Sequence, residues 1–216
     1  MTRLAVIDFE TTGISPEQGA RATEVDIVLL EHGRVVGRFQ SLMNAGVRIP
    51  SFITQLTGIS NAMIAEAPPA AQVMAEASRF VGTLPMVAHN AAFDRKFWVA
   101  ELALAGLDAP QAYACTVLLS RRLFPHAPSH KLGLLIDHLG LPRAGRAHRA
   151  LADAEMAASL LARMQDELRR QWQLEASPAL LMALQRCSKA AVPGWLRQQQ
   201  ACAPVQTRQA AVLGAA

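Results

Sequence analysis

Hydrophobic positions near the start of the chain predict three strands in succession. Residues 4–7 (LAVI) form an apolar, partly β-branched run that is typical of a buried strand, and the sequence TTG at 11–13 signals the turn that ends it. Apolar runs at 23–31 and 35–43 flank a His-Gly pair, a pattern that predicts an antiparallel hairpin. Three strands are therefore expected before the first helix.

Helical periodicity dominates the middle of the chain. Ser51 suits the N-cap of a short helix that ends in the sequence TGIS at 57–60. From residue 70 onward apolar residues recur at helical spacing, with one short apolar run that suits a buried strand. The helices are predicted over 70–81, 91–105, 115–124, 131–139 and 149–172, and the strand over 84–88. This order predicts an α/β fold, a mixed sheet with helices on its faces.

The pattern changes after the last of these helices. A short helix is predicted from Ser177 to Lys189, and residues 198–216 are polar and Ala-rich without apolar periodicity. The sequence therefore predicts one domain over residues 1–174 and a C-terminal appendage over 175–216, made of a short helix and a flexible tail. We expect the appendage to be dispensable for the chemistry of the domain.

Composition narrows the class of protein. At 216 residues, 51% of them hydrophobic, the chain can form one sizeable core. No run approaches the roughly 18 apolar residues of a membrane span, and the first strand begins too early for a signal peptide, so a cytoplasmic protein without membrane contact is expected. Cys115, Cys187 and Cys202 are far apart and lack CxxC spacing, so we expect reduced thiols rather than disulfides or a zinc cluster.

Charge is unevenly distributed along the chain. Residues 1–100 carry 8 Lys and Arg against 9 Asp and Glu, and residues 101–216 carry 13 against 8, so the two parts have net charges of −1 and +5. Within residues 121–149, six Lys and Arg and four His accompany a single acid, Asp137. Such a cluster suits contacts with the phosphates of a nucleic acid, or forms solvated faces that keep a protein soluble. Both interpretations are open at this point.

Two carboxylates stand at the outgoing end of the first strand. Asp8 and Glu10 are two residues apart, so their side chains point to the same face of the strand, while Phe9 points to the other. Paired carboxylates on one face suit a divalent cation such as Mg²⁺ or Mn²⁺, although a solvated strand end carries such acids too. Glu24 and Asp26 share a face by the same rule and are predicted to be a supporting or edge pair.

Three further residues are candidates for the same chemistry. Asp94 falls in the first turn of the helix predicted over 91–105, and Asp153 falls near the start of the helix predicted over 149–172, where the helix dipole favours acids in any case. His148 lies in a basic loop five residues before Asp153. These two converge only if His148 is in the loop and Asp153 is in the first turns of the helix.

Three motifs, taken together and in chain order, resemble those of the DEDD-type 3′-to-5′ exonucleases. They are IDFETTG at 7–13, VAHNAAFDRKF at 87–97 and RAHRALADAEMA at 146–157. The resemblance covers about residues 3–168 and includes the intervening sequences LTGIS, CT and HKLGLL. It indicates the histidine subclass, which includes bacterial proofreading subunits, because His148 precedes Asp153 by five residues and the single tyrosine is far from the last motif.

The resemblance implies a ribonuclease-H-like exonuclease fold, with a mixed five-stranded sheet flanked by helices. It also implies two divalent cations, Mg²⁺ or Mn²⁺. Asp8, Glu10 and Asp153 would hold one ion, Asp8 would bridge to the second, and Asp94 would contribute through water. His148, whose unperturbed pKa is about 6.5, would take the proton from the attacking water.

Four more positions match those that hold the 3′-terminal nucleotide in relatives. Thr11 and Thr12 follow the first pair of acids, and Asn90 and Phe93 precede Asp94. Phe93 suits either stacking on a base or packing in the core. The implied substrates are 3′ ends of single-stranded DNA or RNA. The exposed composition of the C-terminal tail suggests that it docks a partner, either a polymerase or another protein.

Rival functions differ in how well they fit these residues. A phosphatase with an Asp nucleophile has a similar DxDx[TV] strand end, but the longer Glu10 and the downstream His148 and Asp153 fit a nuclease better. A non-catalytic nucleic-acid-binding module would have lost ligands, and none is lost. Among nucleases, DNA is the favoured substrate and RNA trimming is the alternative. Phe9 replaces a small polar residue that is common in proofreading subunits, which disfavours that assignment.

Overall fold

The computed structural model describes residues 3–143 and 150–202, with the side chains of all but 150 and 151. Within these ranges, the strands are Arg3–Thr11 (β1), Ala22–Glu31 (β2), Arg34–Leu42 (β3), Met86–Ala88 (β4) and Tyr113–Cys115 (β5). They form one sheet in the order β3-β2-β1-β4-β5. The first three strands pair antiparallel, whereas β4 is parallel to β1 and β5 is parallel to β4. The mixed five-stranded sheet expected from the resemblance is confirmed.

Helices cover both faces of this sheet. They are Ser51–Thr57 (α1), Asn61–Ala65 (α2), Ala70–Val81 (α3), Ala91–Leu104 (α4), Thr116–Leu123 (α5), Leu132–His138 (α6), Ala150–Trp172 (α7), Pro178–Leu184 (α8) and Val192–Cys202 (α9). In the described part of the chain, no helix combines the length and the hydropathy that crossing a membrane requires. The helices predicted over the middle of the chain are present, with bounds that differ by a few residues.

Alternation along β1 sends its side chains into two separate cores. Val6 packs in a core formed with α7, and Ile7 packs in a second core formed with α3 and α4. Both side chains are fully buried. Because residues two apart in a strand share a face, Asp8 and Glu10 continue the face of Val6 and point toward α7. The sheet therefore directs both acids to the helix that carries Asp153.

Helices α8 and α9 pack into the same core as α7. Their most buried aliphatic side chains are Leu181, Leu184, Val192 and Leu196. Just after α8, the side-chain amide of Gln185 donates to the backbone O of Tyr113 (3.0 Å) and accepts from the backbone N–H of Cys115 (2.7 Å), both in β5. The core thus continues past residue 174, where the sequence suggested a boundary. The described part of the predicted appendage holds two α-helices rather than one.

Leu184→Ala is expected to lower the free energy of unfolding by about 2–5 kcal/mol, because it leaves a cavity in this core. The exposed Gln198→Ala on α9 is the control and is expected to change it by less than about 0.5 kcal/mol. Truncation after Gln173 removes five buried Leu and Val side chains, each worth roughly 1.5–3 kcal/mol, and is expected to prevent stable folding. Urea unfolding measures each change. A truncated chain as stable as the parent would show that residues 175–216 are a separate appendage.

Candidate active site

Strand β1 presents Asp8 and Glu10 beside two further acids of β2. The antiparallel register places Asp26 opposite Asp8 and Glu24 opposite Glu10, so all four side chains share one face of the sheet. Asp26 and Glu24 are buried, whereas Asp8 and Glu10 are half-buried. The register shifts after Glu10, at a bulge that ends the regular pairing next to the acids. The half-buried pair therefore lies against a buried acidic pair, which the sequence indicated only as a supporting or edge pair.

Helix α7 brings Asp153 to the same place. One carboxylate oxygen from each of Asp8, Glu10 and Asp153 lies within 4.8 Å of the other two. Three carboxylate ligands of this kind form an all-oxygen donor set, which suits a hard divalent cation such as Mg²⁺ or Mn²⁺. Three of the four predicted metal ligands are therefore brought together. The predicted base, His148, lies outside the described residues.

Asp94 approaches the same group of acids from α4. It lies in the first turn of that helix and is 2% exposed. Burial raises the pKa of Asp94 to about 8, hydrogen bonds with its own backbone and that of Phe9 lower it, and the charge of Glu10 raises it. The bond with Phe9 places Asp94 beside β1, although it is not one of the three residues within 4.8 Å of one another. Its position is consistent with an indirect contribution to a metal site.

Like charges are crowded around Asp8. Burial raises the pKa of Asp8 well above its usual range, and neighbouring carboxylates raise it further. In order of effect, these neighbours are Asp94, Asp153, Glu10 and Asp26. Such crowding disfavours the charged form of a carboxylate, and a bound cation relieves it. The arrangement therefore favours the binding of a cation.

Divalent cations are expected to raise the Tm of the protein, and to raise it more at pH 8 than at pH 5. The pKa of Asp94 is about 8 in the folded protein and about 3.9 in an unfolded chain, so the folded state binds more protons between these values. Without a cation, the free energy of unfolding therefore falls as the pH rises from about 4 to 8. A bound cation replaces the protons and stabilises the folded state more as the pH rises.

Thermal unfolding with Mg²⁺ or Mn²⁺, against NaCl at matched ionic strength, measures this effect without any substrate. A Tm at pH 8 that the divalent cations leave unchanged would contradict a metal site at these acids.

The two threonines after the acids take part in the turn that follows β1. Thr11 Oγ1 donates to the backbone O of Gly13 (2.7 Å), and Thr12 Oγ1 accepts from the backbone N–H of Arg21 (3.0 Å). Both hydroxyl groups therefore fix the shape of this turn. Their contact with a nucleotide stays a prediction.

Asn90 and Phe93 stand at the start of α4, next to Asp94. Asn90 is exposed and adopts a left-handed conformation, with φ of 72°. Phe93 is half-buried and packs on Phe97, with ring centroids 5.0 Å apart, at the border of the core under α4. This contact supports the packing role that the sequence left open for Phe93. For both residues, contact with a nucleotide stays a prediction.

His89 joins three segments beside the site, a role that sequence reasoning missed. Its Nε2 lies 3.1 Å from the backbone O of His130, and its Nδ1 lies 2.9 Å from Thr116 Oγ1. Because a carbonyl oxygen only accepts, Nε2 carries the proton and Nδ1 accepts from the Thr116 hydroxyl. Burial lowers the pKa of His89 to about 4, so the ring is neutral at physiological pH. The signal in the sequence was the CT and HKLGLL matches, whose residues this ring holds together.

Comparison with known proteins identifies the family. The exonuclease family model, RNase_T, matches residues 5–161. The chain belongs to this exonuclease family. The match runs from within β1 to the middle of α7, and so includes every described acid of the site.

Relatives of this exonuclease chain include a bacterial 3′-5′ exonuclease and a bacterial DNA polymerase III subunit. It is 38% identical over 169 residues to the 3′-5′ exonuclease DinG of Bacillus subtilis, covering 78% of this chain but only 18% of that protein. It is 32% identical over 166 residues to the DNA polymerase III subunit epsilon of Aquifex aeolicus, covering 76% of this chain and 80% of that subunit. The resemblance to the DEDD-type exonucleases is therefore confirmed.

Solved structures share the fold. Exonuclease X in complex with 5′ overhanging duplex DNA aligns with a TM-score of 0.66 and 26% identity, over 84% of this chain and 99% of that one. The nuclease domain of 3′hExo, a DEDDh family member bound to rAMP, aligns with a TM-score of 0.66 at 24% identity, over 76% of this chain and 92% of that one. The expected ribonuclease-H-like exonuclease fold is confirmed.

Proposed function

We propose that the protein hydrolyses phosphodiester bonds from the 3′ end of single-stranded nucleic acid, with Mg²⁺ or Mn²⁺ as cofactor. One observation supports this most directly. The carboxylates of Asp8, Glu10 and Asp153 converge within 4.8 Å in a chain of the exonuclease family. The chain spans only part of several relatives, so the activity of the whole protein is inferred from this domain.

The proposed chemistry assigns a separate task to each residue. Asp8, Glu10 and Asp153 would hold one cation, Asp8 would be shared with a second, and Asp94 would act through water. When bound, the cations neutralise charge on the entering and leaving oxygens of the phosphodiester. His148 accepts the proton of the attacking water on an imidazole nitrogen. Thr11, Thr12, Asn90 and Phe93 are the proposed contacts of the 3′-terminal nucleotide.

DNA is the proposed substrate. The named relatives include a DNA polymerase III subunit, and Exonuclease X, a structural neighbour at 26% identity, is bound to DNA in its solved structure. Association with a polymerase is proposed on the same grounds, since several relatives are PolC-type polymerases. That the C-terminal tail within residues 175–216 makes this contact, and that the protein is cytoplasmic, stay predictions.

Matched oligonucleotides test the proposal. Single-stranded DNA and RNA of one sequence, labelled at the 5′ end, are incubated with the protein and Mg²⁺ or Mn²⁺. We expect a ladder of shortened DNA products that keep the label, and no products in excess EDTA. Release of the 5′ label as the first product, or digestion in excess EDTA, would refute the proposed reaction. Faster digestion of the RNA would overturn the choice of DNA while leaving the reaction in place.

A further inference from the structure

A groove leads away from the carboxylates along the loop before α6. Its inner part, of about 390 Å³, is lined by Asp8 and Asp153 and, at the start of α6, by Lys131 and Leu132. Its outer part, of about 660 Å³, shares His89, Lys131 and Leu132 with the inner part and includes Arg121 on α5. Asn90, a proposed contact of the 3′-terminal nucleotide, lines the outer part beside His89, where the two parts meet. Both volumes fall in the range of roughly 300–1,000 Å³ that is usual for ligand sites. The two parts therefore form one continuous concave surface that starts at the acids.

Among the described residues, carboxylates line only the inner part of this groove. The inner part carries Asp8 and Asp153 together with Lys131 and Arg143, whereas no carboxylate occurs among the described residues that line the outer part. Lys131 and Arg121 are both exposed there, and neither has an ion-pair partner in the described ranges. A phosphate-bearing ligand that reaches the acids thus meets cations in the outer part.

Other members of the basic cluster have structural partners. Arg122 donates to the backbone O of Cys187 (2.7 Å) and of Leu118 (2.8 Å). Arg143 donates to Asp137 Oδ1 (2.7 Å). Arg122 and Arg143 therefore have partners within the protein, whereas Arg121 and Lys131 have no ion-pair partner among the described residues.

The wall that carries Lys131 is held on two sides. The backbone O of His130 accepts from His89, and the ring of His130 bonds through Nδ1 to Ser120 Oγ (2.9 Å) on α5. Because Ser120 donates to the backbone O of Val117, its oxygen accepts from the His130 ring. The backbone at Lys131 is thus positioned before any ligand binds, which lowers the entropic cost of binding.

We propose that this groove binds the strand that the enzyme retains, with Lys131 and Arg121 contacting phosphates on the 5′ side of the scissile bond. The inference rests on the proposed function, which places the scissile phosphate at the acids. Lys131 lines both parts of the groove and meets the nearer phosphates, and Arg121 meets those farther upstream. The contacts are to the backbone, so they favour longer strands without selecting a sequence.

Substrate length provides the test. KM and kcat are measured for oligo-dT of 2, 4, 8 and 12 nucleotides with the parent, Lys131→Gln, Arg121→Gln and the control Arg34→Gln. Arg34 is exposed at the start of β3, the opposite edge of the sheet from β5. Each groove variant is expected to raise KM for the 12-mer about tenfold, with a smaller change in kcat and a smaller effect on the dinucleotide. The control is expected to match the parent, and Lys131→Arg is expected to restore most of the loss.

Salt dependence provides a second measurement. Loss of one phosphate contact is expected to reduce the slope of log(kcat/KM) against log[salt] by about 0.7 on single-stranded DNA. If KM and kcat/KM of the groove variants depend on substrate length and salt as those of the parent do, the groove does not bind the retained strand as proposed. Equal losses on the dinucleotide and the 12-mer, as a purely structural role predicts, would overturn the proposal too.

A substrate without upstream phosphates separates this inference from the proposed function. Thymidine 5′-(p-nitrophenyl phosphate) has a single phosphodiester, and a p-nitrophenyl group takes the place of the retained strand. It therefore has no phosphate on the 5′ side of the scissile bond. If the parent hydrolyses neither this ester nor any oligonucleotide, the proposed function fails. If the parent is active and the variants show the same dependence on substrate length and salt as the parent, only the proposed role of the groove fails.

Discussion

Asp153→Asn is expected to reduce turnover by at least about 10³-fold at saturating Mg²⁺. The change replaces one of three carboxylates within 4.8 Å of one another, and with it a charged ligand of the proposed cation. A metal ion at a phosphodiester contributes several kcal/mol to stabilising the transition state, and about 4 kcal/mol corresponds to 10³-fold in rate. Turnover of a short single-stranded DNA, with metal titrated to saturation, measures the loss.

Stability separates this loss from unfolding. The charge of Asp153 raises the pKa of Asp8, so removing that charge relieves repulsion, and the metal-free variant is expected to be at least as stable as the parent. Asp166→Asn, on the same helix, is the control. Asp166 pairs with Arg169 and Arg170 at the surface, where such pairs contribute little. A folded Asp153→Asn enzyme within threefold of the parent would reject the proposed metal site.

His148→Ala is expected to reduce turnover roughly 10²- to 10⁴-fold, with less effect on the affinity for an oligonucleotide. A general base that takes the proton from water acts in the chemical step rather than in binding. The parent's activity is also expected to rise through one ionisation between about pH 5.5 and 8, and the variant is expected to lose this rise.

His126→Ala is the control for this change, because His126 is exposed and belongs to the same basic half of the chain. It is expected to retain the parent's rate and pH profile. If the turnover of His148→Ala at neutral pH is within threefold of that of the parent, His148 is not the general base. The proposed metal site is tested separately by Asp153→Asn.

Local rules predicted the first part of the site well. Asp8 and Glu10 share a face because side chains in a strand alternate with a period of two residues. This prediction needs no knowledge of the rest of the fold. Asp26 and Glu24 lie opposite Asp8 and Glu10 because of the register in which β1 and β2 pair. The sequence predicts that Asp26 and Glu24 share a face of β2, but it does not predict this register and so does not predict where the face lies.

Elements that depend on distant partners were missed or misjudged. Strand β5 has three residues, too few for a readable alternation, and its last residue was assigned to the following helix. It forms through pairing with β4 and through Gln185, 70 residues after Cys115. Local patterns after residue 177 predict an appendage and do not show that Leu181 and Leu184 pack in a core formed by other segments. His89 was overlooked for the same reason, since its partners are 27 and 41 residues away.

The Gln185 amide also determines when one edge of the sheet is protected. An open strand edge can pair with another chain, and β5 is an outermost strand whose backbone groups at Tyr113 and Cys115 are covered by this side chain. During synthesis these groups leave the ribosome 70 residues before Gln185 does. At about 5–20 residues per second, that interval is roughly 4–14 s. A nascent chain of this exonuclease therefore passes through a period in which the β5 edge is open to pairing with a neighbouring chain.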